Sequence, residues 1–221
     1  MELTPFFLPE VDAAVHGNVL RHLWLRGGYP LSYLAEGDST SLDWRNDFKR
    51  TLLERDIQQL GMNLPSTRLD RLLRMCAHLQ GQLLNSSKLS ESLGVSYHTV
   101  RSYIDTFEQV FIMRTLEPFA ANIKKRLVKS SKMYIRDTGL LHALLDIENQ
   151  NDLLGHPVYG PSWETLVIEN ILSICEKWRA SFYRTSAGAG IDLILEKGSE
   201  RIAVECKAST APKLNQGFWN A

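Results

Sequence analysis

The chain has 221 residues, enough for one large domain or two to three small ones, each burying a modest core. Lys and Arg together number 25 and so do Asp and Glu, so the formal net charge is zero and any nucleic-acid affinity must come from local patches. Cys76, Cys175 and Cys206 lie far apart with no CxxC pair, which argues against a zinc site or a disulfide framework. No signal peptide opens the sequence and no apolar run approaches the ~20 residues that span a bilayer, so the expected setting is a reducing cytoplasm, away from any membrane.

The first third reads as helical and irregular. Leu20, Leu23 and Trp24 form an apolar stripe that ends at Gly27-Gly28-Tyr29-Pro30, a helix cap followed by a proline stop. Residues 42–59 read as a longer helix carrying Trp44, Phe48, Leu52 and Ile57 at helical spacing. Its Arg50, Glu54, Arg55 and Asp56 read as solvated surface, paired along the helix. Pro65 and Ser66 mark a boundary.

Next comes an amphipathic helix on Leu69, Leu72, Leu73, Cys76 and Leu79, then a pattern that reads as a helix-turn-helix. Leu89 and Leu93 share one face of a short helix closed by Gly94; Val95 plugs the angle and Ser96 caps the following helix, which buries Val100, Ile104 and Phe107. Tyr97, His98, Arg101 and Ser102 are left near the exposed start of that helix, where DNA-binding proteins of this type reach base edges in the major groove. Residues 110–116 and 132–135 read as two strands of a wing. Between them Lys124, Lys125, Arg126 and Lys129, followed by Lys132, form a basic run in which each cation can neutralise a phosphate. The competing reading is a structural or protein-binding winged helix, since Asp105 and Glu108 place negative charge on the reading helix.

The third stretch starts at Arg136-Asp137-Thr138-Gly139, with a helix through Leu140, Leu141, Leu144 and Leu145. After a Gly/Pro-rich link a second helix is expected to open at Ser162 as N-cap, with Glu164 in its first turn, where the helix dipole favours a carboxylate. Phe182-Tyr183-Arg184 reads as a strand, and Gly188-Ala189-Gly190 leads into a hairpin. The hairpin joins residues 191–196 to residues 201–207 through Gly198-Ser199, a pair suited to a two-residue loop. Lys197 then pairs with Glu200, and counting back sets Asp192 opposite Glu205, with Lys207 on the same face. Asp, Glu and Lys together on one sheet face have the chemistry of a divalent-metal site beside a cation. A solvated sheet face explains the same charges without function, although Ile194 and Ala203 share that face.

No GxxxxGK[ST] loop occurs, so Walker-type ATP binding by this chain is excluded, and Gly188-Ala189-Gly190 precedes a strand and cannot form a helix-terminal phosphate cradle. His98 and His142 read as surface or packing residues.

The spacing of Asp192 and Glu205-Cys206-Lys207 resembles the core of the PD-(D/E)xK nuclease-like superfamily, in which the acidic pair binds magnesium and the lysine positions the attacking water. More of the chain resembles one arrangement: Leu25-Arg26-Gly27-Gly28-Tyr29-Pro30, residues 51–56, Leu93-Gly94-Val95-Ser96, residues 134–141, Trp163-Glu164, residues 188–195 and Val204-Glu205-Cys206-Lys207. In this order they are similar to the domain of unknown function that follows the P-loop module in a large family of prokaryotic AAA-type ATPases. The resemblance implies an α+β chain with a helical lid-like segment (1–68), a winged helix-turn-helix (69–137) and a restriction-endonuclease-like domain (138–221) cut short at its C-terminus. It places Asp192, Glu205 and Lys207 at catalytic positions, with Glu164 joining Asp192 and Glu205 around Mg²⁺, which takes oxygen ligands. It further implies DNA, an adjoining ATPase domain and a second copy of the chain as partners, with ATP engaged only through the P-loop module, and a chain that is a fragment of a longer protein.

Overall fold

Helix α1 (Val19–Arg26) is delimited by its own sequence: Asn18 Oδ1 accepts the Arg21 N–H at 3.1 Å, and Gly27 ends the helix at a φ of 74°. The computed structural model to which it belongs describes residues 4–11, 18–59, 65–119, 128–185, 190–209 and 211. It is an α+β chain, helical in its N-terminal part, with two small antiparallel sheets. A single turn, α2 (Pro30–Tyr33), leads to α3 (Asp38–Thr51), which starts four residues earlier than its apolar periodicity suggests. A π-helical turn over Leu52–Asp56 carries it into α4 (Ile57–Gln59), placing Leu52, Leu53 and Ile57 in the core.

Two glycine-bearing segments far apart in sequence interlock beside α1. Asp137 caps α8 (Thr138–Leu144) by accepting the Leu140 N–H at 2.7 Å, and its other oxygen accepts the Gly28 N–H at 2.7 Å. The backbones are so close that a Cβ on Gly139 would lie 2.0 Å from the Arg26 carbonyl oxygen, and one on Gly27 would lie 2.2 Å from Asp137 Oδ1. Arg45, wholly buried, spans the joint by donating from Nη1 to the carbonyls of Gly139 at 2.9 Å and Leu25 at 3.3 Å. Burial lowers its pKa to about 10 and raises that of Asp137, whose backbone hydrogen bonds oppose the rise.

Helix α8 is buried along its whole length. Its His142 shares hydrogen bonds with the Leu25 carbonyl through Nδ1 (3.0 Å) and with Ser162 Oγ through Nε2 (2.8 Å), while Trp24 Nε1 donates to Ser162 Oγ at 2.9 Å. A carbonyl only accepts, so Nδ1 carries the proton and the Ser162 hydroxyl donates to Nε2. His142 is therefore a packing residue, neutral because burial pushes its pKa down to about 3. Ser162 is not an N-cap: α10 runs Tyr159–Ile174, opening three residues earlier, after the short α9 (Gln150–Gly155). Pro161 is tolerated there because the first-turn nitrogens of a helix lack partners. Glu164 accordingly lies in the second turn.

Between these parts run α5 (Ser66–His78), α6 (Ser86–Leu93) and α7 (Tyr97–Gln109). Gly94, in the left-handed conformation, ends α6, and Ser96 caps α7 by accepting the Thr99 N–H at 3.0 Å. Strands β1 (Met113–Leu116) and β2 (Lys132–Ile135) pair antiparallel with Met113 opposite Ile135. The expected first strand is shortened because Phe111 turns at a φ of 59°. Residues 81–84 line the other side of β2, through Gly81 N–H to Met133 O at 2.8 Å and Leu84 N–H to Ser131 O at 2.8 Å, so β2 is flanked on both edges.

The second sheet has the order β3 (Arg179–Arg184), β4 (Gly190–Lys197), β5 (Glu200–Val204), antiparallel throughout. Its hairpin has the register counted from the sequence from Lys197 opposite Glu200 to Leu193 opposite Val204, but β5 ends there, so Glu205 and Lys207 lie past the strand and the expected Asp192–Glu205 pair is not part of the ladder. Of the apolar pair on the Asp192 face, Ile194 is buried but Ala203 is exposed on the edge strand. Helix α10 separates two cores. Leu166 faces a large one built from Leu23, Leu73, Val100, Met133 and Leu141, which draws on all three stretches of the chain. Ile168 faces a smaller one with Leu116, Tyr134, Phe182, Leu193 and Leu195.

Two outcomes test this packing. Gly139→Ala is expected to cost about 3 kcal/mol or more, because the methyl meets rigid backbone and not a flexible side chain; urea denaturation measures it. His142 stays neutral in the folded state while the unfolded imidazole protonates near pH 6.5, so its contribution is complete above that value. Stability should fall by about 1.4 kcal/mol per pH unit as the pH drops from about 6.5 towards 3, a slope that denaturation curves should find flattened in His142→Gln.

Candidate functional site

Because side chains alternate along a strand, β2 sends Met133 and Ile135 into the large core and Lys132 and Tyr134 towards the second sheet. There Lys132 meets the residues singled out by the hairpin and α10. Its Nζ donates to Glu164 Oε1 at 2.9 Å and to Asp192 Oδ1 at 3.1 Å. The Tyr134 hydroxyl donates to the same Glu164 oxygen at 2.6 Å, and the Cys206 N–H donates to Asp192 Oδ2 at 3.0 Å. Side-chain exposures of 7% for Lys132, 14% for Glu164 and 20% for Asp192 mark a charge cluster largely withdrawn from water. Beside it Lys207 Nζ donates to Glu205 Oε1 at 2.5 Å.

The electrostatics follow from burial and proximity. Burial works to lower the Lys132 pKa, but the two carboxylates outweigh it and hold the ammonium charged above its ordinary range. Burial raises Glu164, with Lys132 opposing. Tyr134 and Cys206 are raised by burial and then by the nearby carboxylates, so both remain protonated at neutral pH. The Glu205 hydrogen bond raises Lys207.

Glu164, Asp192, Glu205 and Lys207 are thus neighbours, yet they do not converge on an open cation position. Among the described residues no three His, Cys, Asp or Glu side chains are grouped so as to hold a metal ion. Carboxylate oxygens suit Mg²⁺ chemically. Here, however, the gap between Glu164 and Asp192 is bridged by an ammonium, and Glu205 is turned to Lys207. Lys132, expected among the phosphate-binding cations of the basic run, is instead internal, its ammonium held by Glu164 and Asp192. Tyr134 was missed as a site residue. The signal for both was the alternation Lys132-Met133-Tyr134-Ile135, two polar-tipped residues on one face of a strand whose other face is apolar.

A second face gathers part of the expected DNA-contacting set. Tyr97, 48% exposed, Arg101 and Lys129 line one open groove of about 570 Å³ with Asn85, Ser86 and Ser87 at the start of α6. His98 and Ser102 are exposed on α7 but do not line the groove. Lys124, Lys125 and Arg126 lie outside the described residues. The acids of α7 are engaged: Asp105 lies 3.6 Å from Arg101, and Glu108 accepts the Thr115 N–H at 2.8 Å and its hydroxyl at 2.7 Å. Elsewhere Arg114 and Arg136 both grip the buried Glu169, from 2.5 and 2.9 Å, fastening β1 and the start of α8 to α10. No helix among the described residues is long and apolar enough to cross a membrane.

Comparison with known proteins gives two family matches: a domain of unknown function, DUF8612, over residues 17–151, and another, DUF4143, over residues 159–221. The "Uncharacterized protein Mb2031c" of Mycobacterium bovis and the "Uncharacterized protein Rv2008c" of Mycobacterium tuberculosis are each 38% identical over 207 residues, covering 94% of this chain and 47% of theirs. The chain thus spans about half the length of these curated relatives. No solved structure gives a significant match.

Proposed function

The chain belongs to the DUF8612 family, and from that premise we propose that it is the DNA-engaging region accompanying an AAA-type ATPase module, read through its helix-turn-helix, with a nuclease-like carboxylate site that does not turn over. The observation that carries the reading is the groove in which Arg101 and Lys129, 28 positions apart in sequence, meet Tyr97 and the start of α6. Two cations and the polar Asn85 and Ser87 on one open surface match a phosphate backbone, while Tyr97 offers a ring to a base or sugar. The DUF4143 match supports the ATPase association, that domain being typical of the C-terminal regions of AAA-type ATPases. The two-stranded sheet after α7 supports a winged helix.

A second reading, a phosphodiesterase built on Asp192, Glu205 and Lys207, is favoured by one observation: the chain just past the end of β5 stays beside Asp192, whose Oδ2 accepts the Cys206 N–H at 3.0 Å, and so brings Glu205 and Lys207 near it. The internal pairing of Lys132 with two of the carboxylates weighs against it.

Fluorescence anisotropy with a labelled duplex between 50 and 200 mM salt tests the first reading. Arg101→Ala is expected to cost about 1–3 kcal/mol of binding, and Lys129→Ala to reduce the log affinity–log salt slope by ~0.9. Unchanged affinity and slope in both variants would remove the groove from consideration. For the second reading, end-labelled linear and branched DNA is incubated with Mn²⁺ or EDTA. The expected result is no metal-dependent cleavage, whereas cleavage that needs both Mn²⁺ and Lys207 would establish a phosphodiesterase.

A further inference from the structure

We infer that Lys132 is the resident cation of the Glu164–Asp192 site: its ammonium stands where a divalent ion would have to bind, and the chain takes no metal there. The inference does not depend on the DNA-binding groove. A cation shared by two carboxylates should touch one oxygen of each, and Lys132 Nζ does so at 2.9 and 3.1 Å. The other polar partners complete the arrangement without a metal. Glu164 Oε1 also accepts the Tyr134 hydroxyl, and Asp192 Oδ2 accepts the Cys206 N–H, so one oxygen of Glu164 and both oxygens of Asp192 are already engaged. Glu205, the remaining carboxylate, bonds to its own lysine, Lys207.

The ammonium is held in place by backbone as well as by charge. Lys132 opens β2, where Leu116 pairs with it on one edge and Leu83 bridges to it on the other. Met133 N–H donates to Gln82 O at 3.1 Å, and its carbonyl accepts the Gly81 N–H at 2.8 Å. A divalent ion entering the site would have to expel an ammonium that is 7% exposed, carried on a strand with neighbours on both sides. Moving the strand breaks that pairing; leaving the ammonium in place strands a buried charge without its counter-ions, which is strongly unfavourable. Lysine also suits the role sterically. It supplies one positive charge and three donors at a single point, so it can bind two carboxylates while its ammonium also lies over the Phe182 ring, whose centroid is 5.6 Å from Nζ. The site is then a fastening between β2, α10 and β4 and not a reaction centre.

The test is a thermal melt and a calorimetric titration with Mn²⁺ alone as probe, on the chain itself, Asp192→Asn, Lys132→Met and the double variant Lys132→Met/Asp192→Asn. Wild type should melt at the same temperature in EDTA and in millimolar Mn²⁺, with no saturable heat. Lys132→Met should melt lower in EDTA and recover by roughly 5–10 °C at saturating Mn²⁺, a recovery absent from the double variant. Saturable Mn²⁺ stabilisation of wild type that Asp192→Asn abolishes overturns the inference, and so does a folded Lys132→Met that Mn²⁺ leaves unmoved. If Lys132→Met does not fold, the wild-type titration alone decides, binding against the inference and absence of binding for it.

Discussion

The architecture depends on one close approach, the seating of Gly139 on the Arg26 carbonyl with the Asp137 carboxylate between two helix ends. Asp137 receives N–H groups from Gly28 and Leu140, and so it simultaneously caps α8 and binds the turn after α1. Only glycine permits this spacing, since a Cβ at Gly27 or Gly139 would fall within 2.2 Å of an oxygen. Everything packed on α8 inherits its position from that joint, including the Trp24–Ser162–His142 chain that ties α1, α8 and α10 together. A carboxylate is unusual in such a place. It is tolerated because three backbone N–H groups, from Leu140, Gly28 and Gly139, and the nearby Arg45 charge offset its loss of water.

Helix α10 carries this order outward. One side closes the large core through Leu166, and the other side receives the second sheet through Ile168. Its two acidic residues are both consumed by basic partners from the preceding β-sheet region: Glu164 by Lys132, and Glu169 by Arg114 and Arg136. Ion pairs this buried add less net stability than their Coulomb attraction suggests, because both partners lose hydration. They are demanding about geometry, however, since losing either partner leaves a charge unpaired. They therefore tie the helix to β1, β2 and Arg136, just ahead of α8, at fixed positions.

The groove and the carboxylate cluster are linked through a single run of chain. Lys129, Ser130 and Ser131 line the groove, and the next residue, Lys132, enters the cluster. Ser131 further donates to Glu117 Oε1 at 2.8 Å, and the Glu117 carbonyl accepts the Phe182 N–H at 3.0 Å, so the segment after β1 joins the edge of the second sheet. The groove and the second sheet are thus held by one piece of backbone.

What the sequence determined by itself was local. Glycine and proline punctuation located the end of α1, Gly94 and Ser96 delimited the turn between α6 and α7, and the Gly198-Ser199 loop set the β4–β5 register, because each depends on backbone preferences within a few residues. Where a helix started was less legible: Ser162 has the chemistry of an N-cap, but Trp24 and His142 claim its hydroxyl from elsewhere in the chain. The character of the site was decided only in three dimensions. Asp192, Glu205 and Lys207 read as a metal site because spacing shows which residues share a face but not which side chain arrives opposite them. Lys132, 60 positions from Asp192, looked like one more cation in a basic run. It became an internal counter-ion because β2 is flanked on both edges and alternation turns it towards Glu164. A charge is assigned to solvent or to a partner by burial, and burial is a property of the assembled fold.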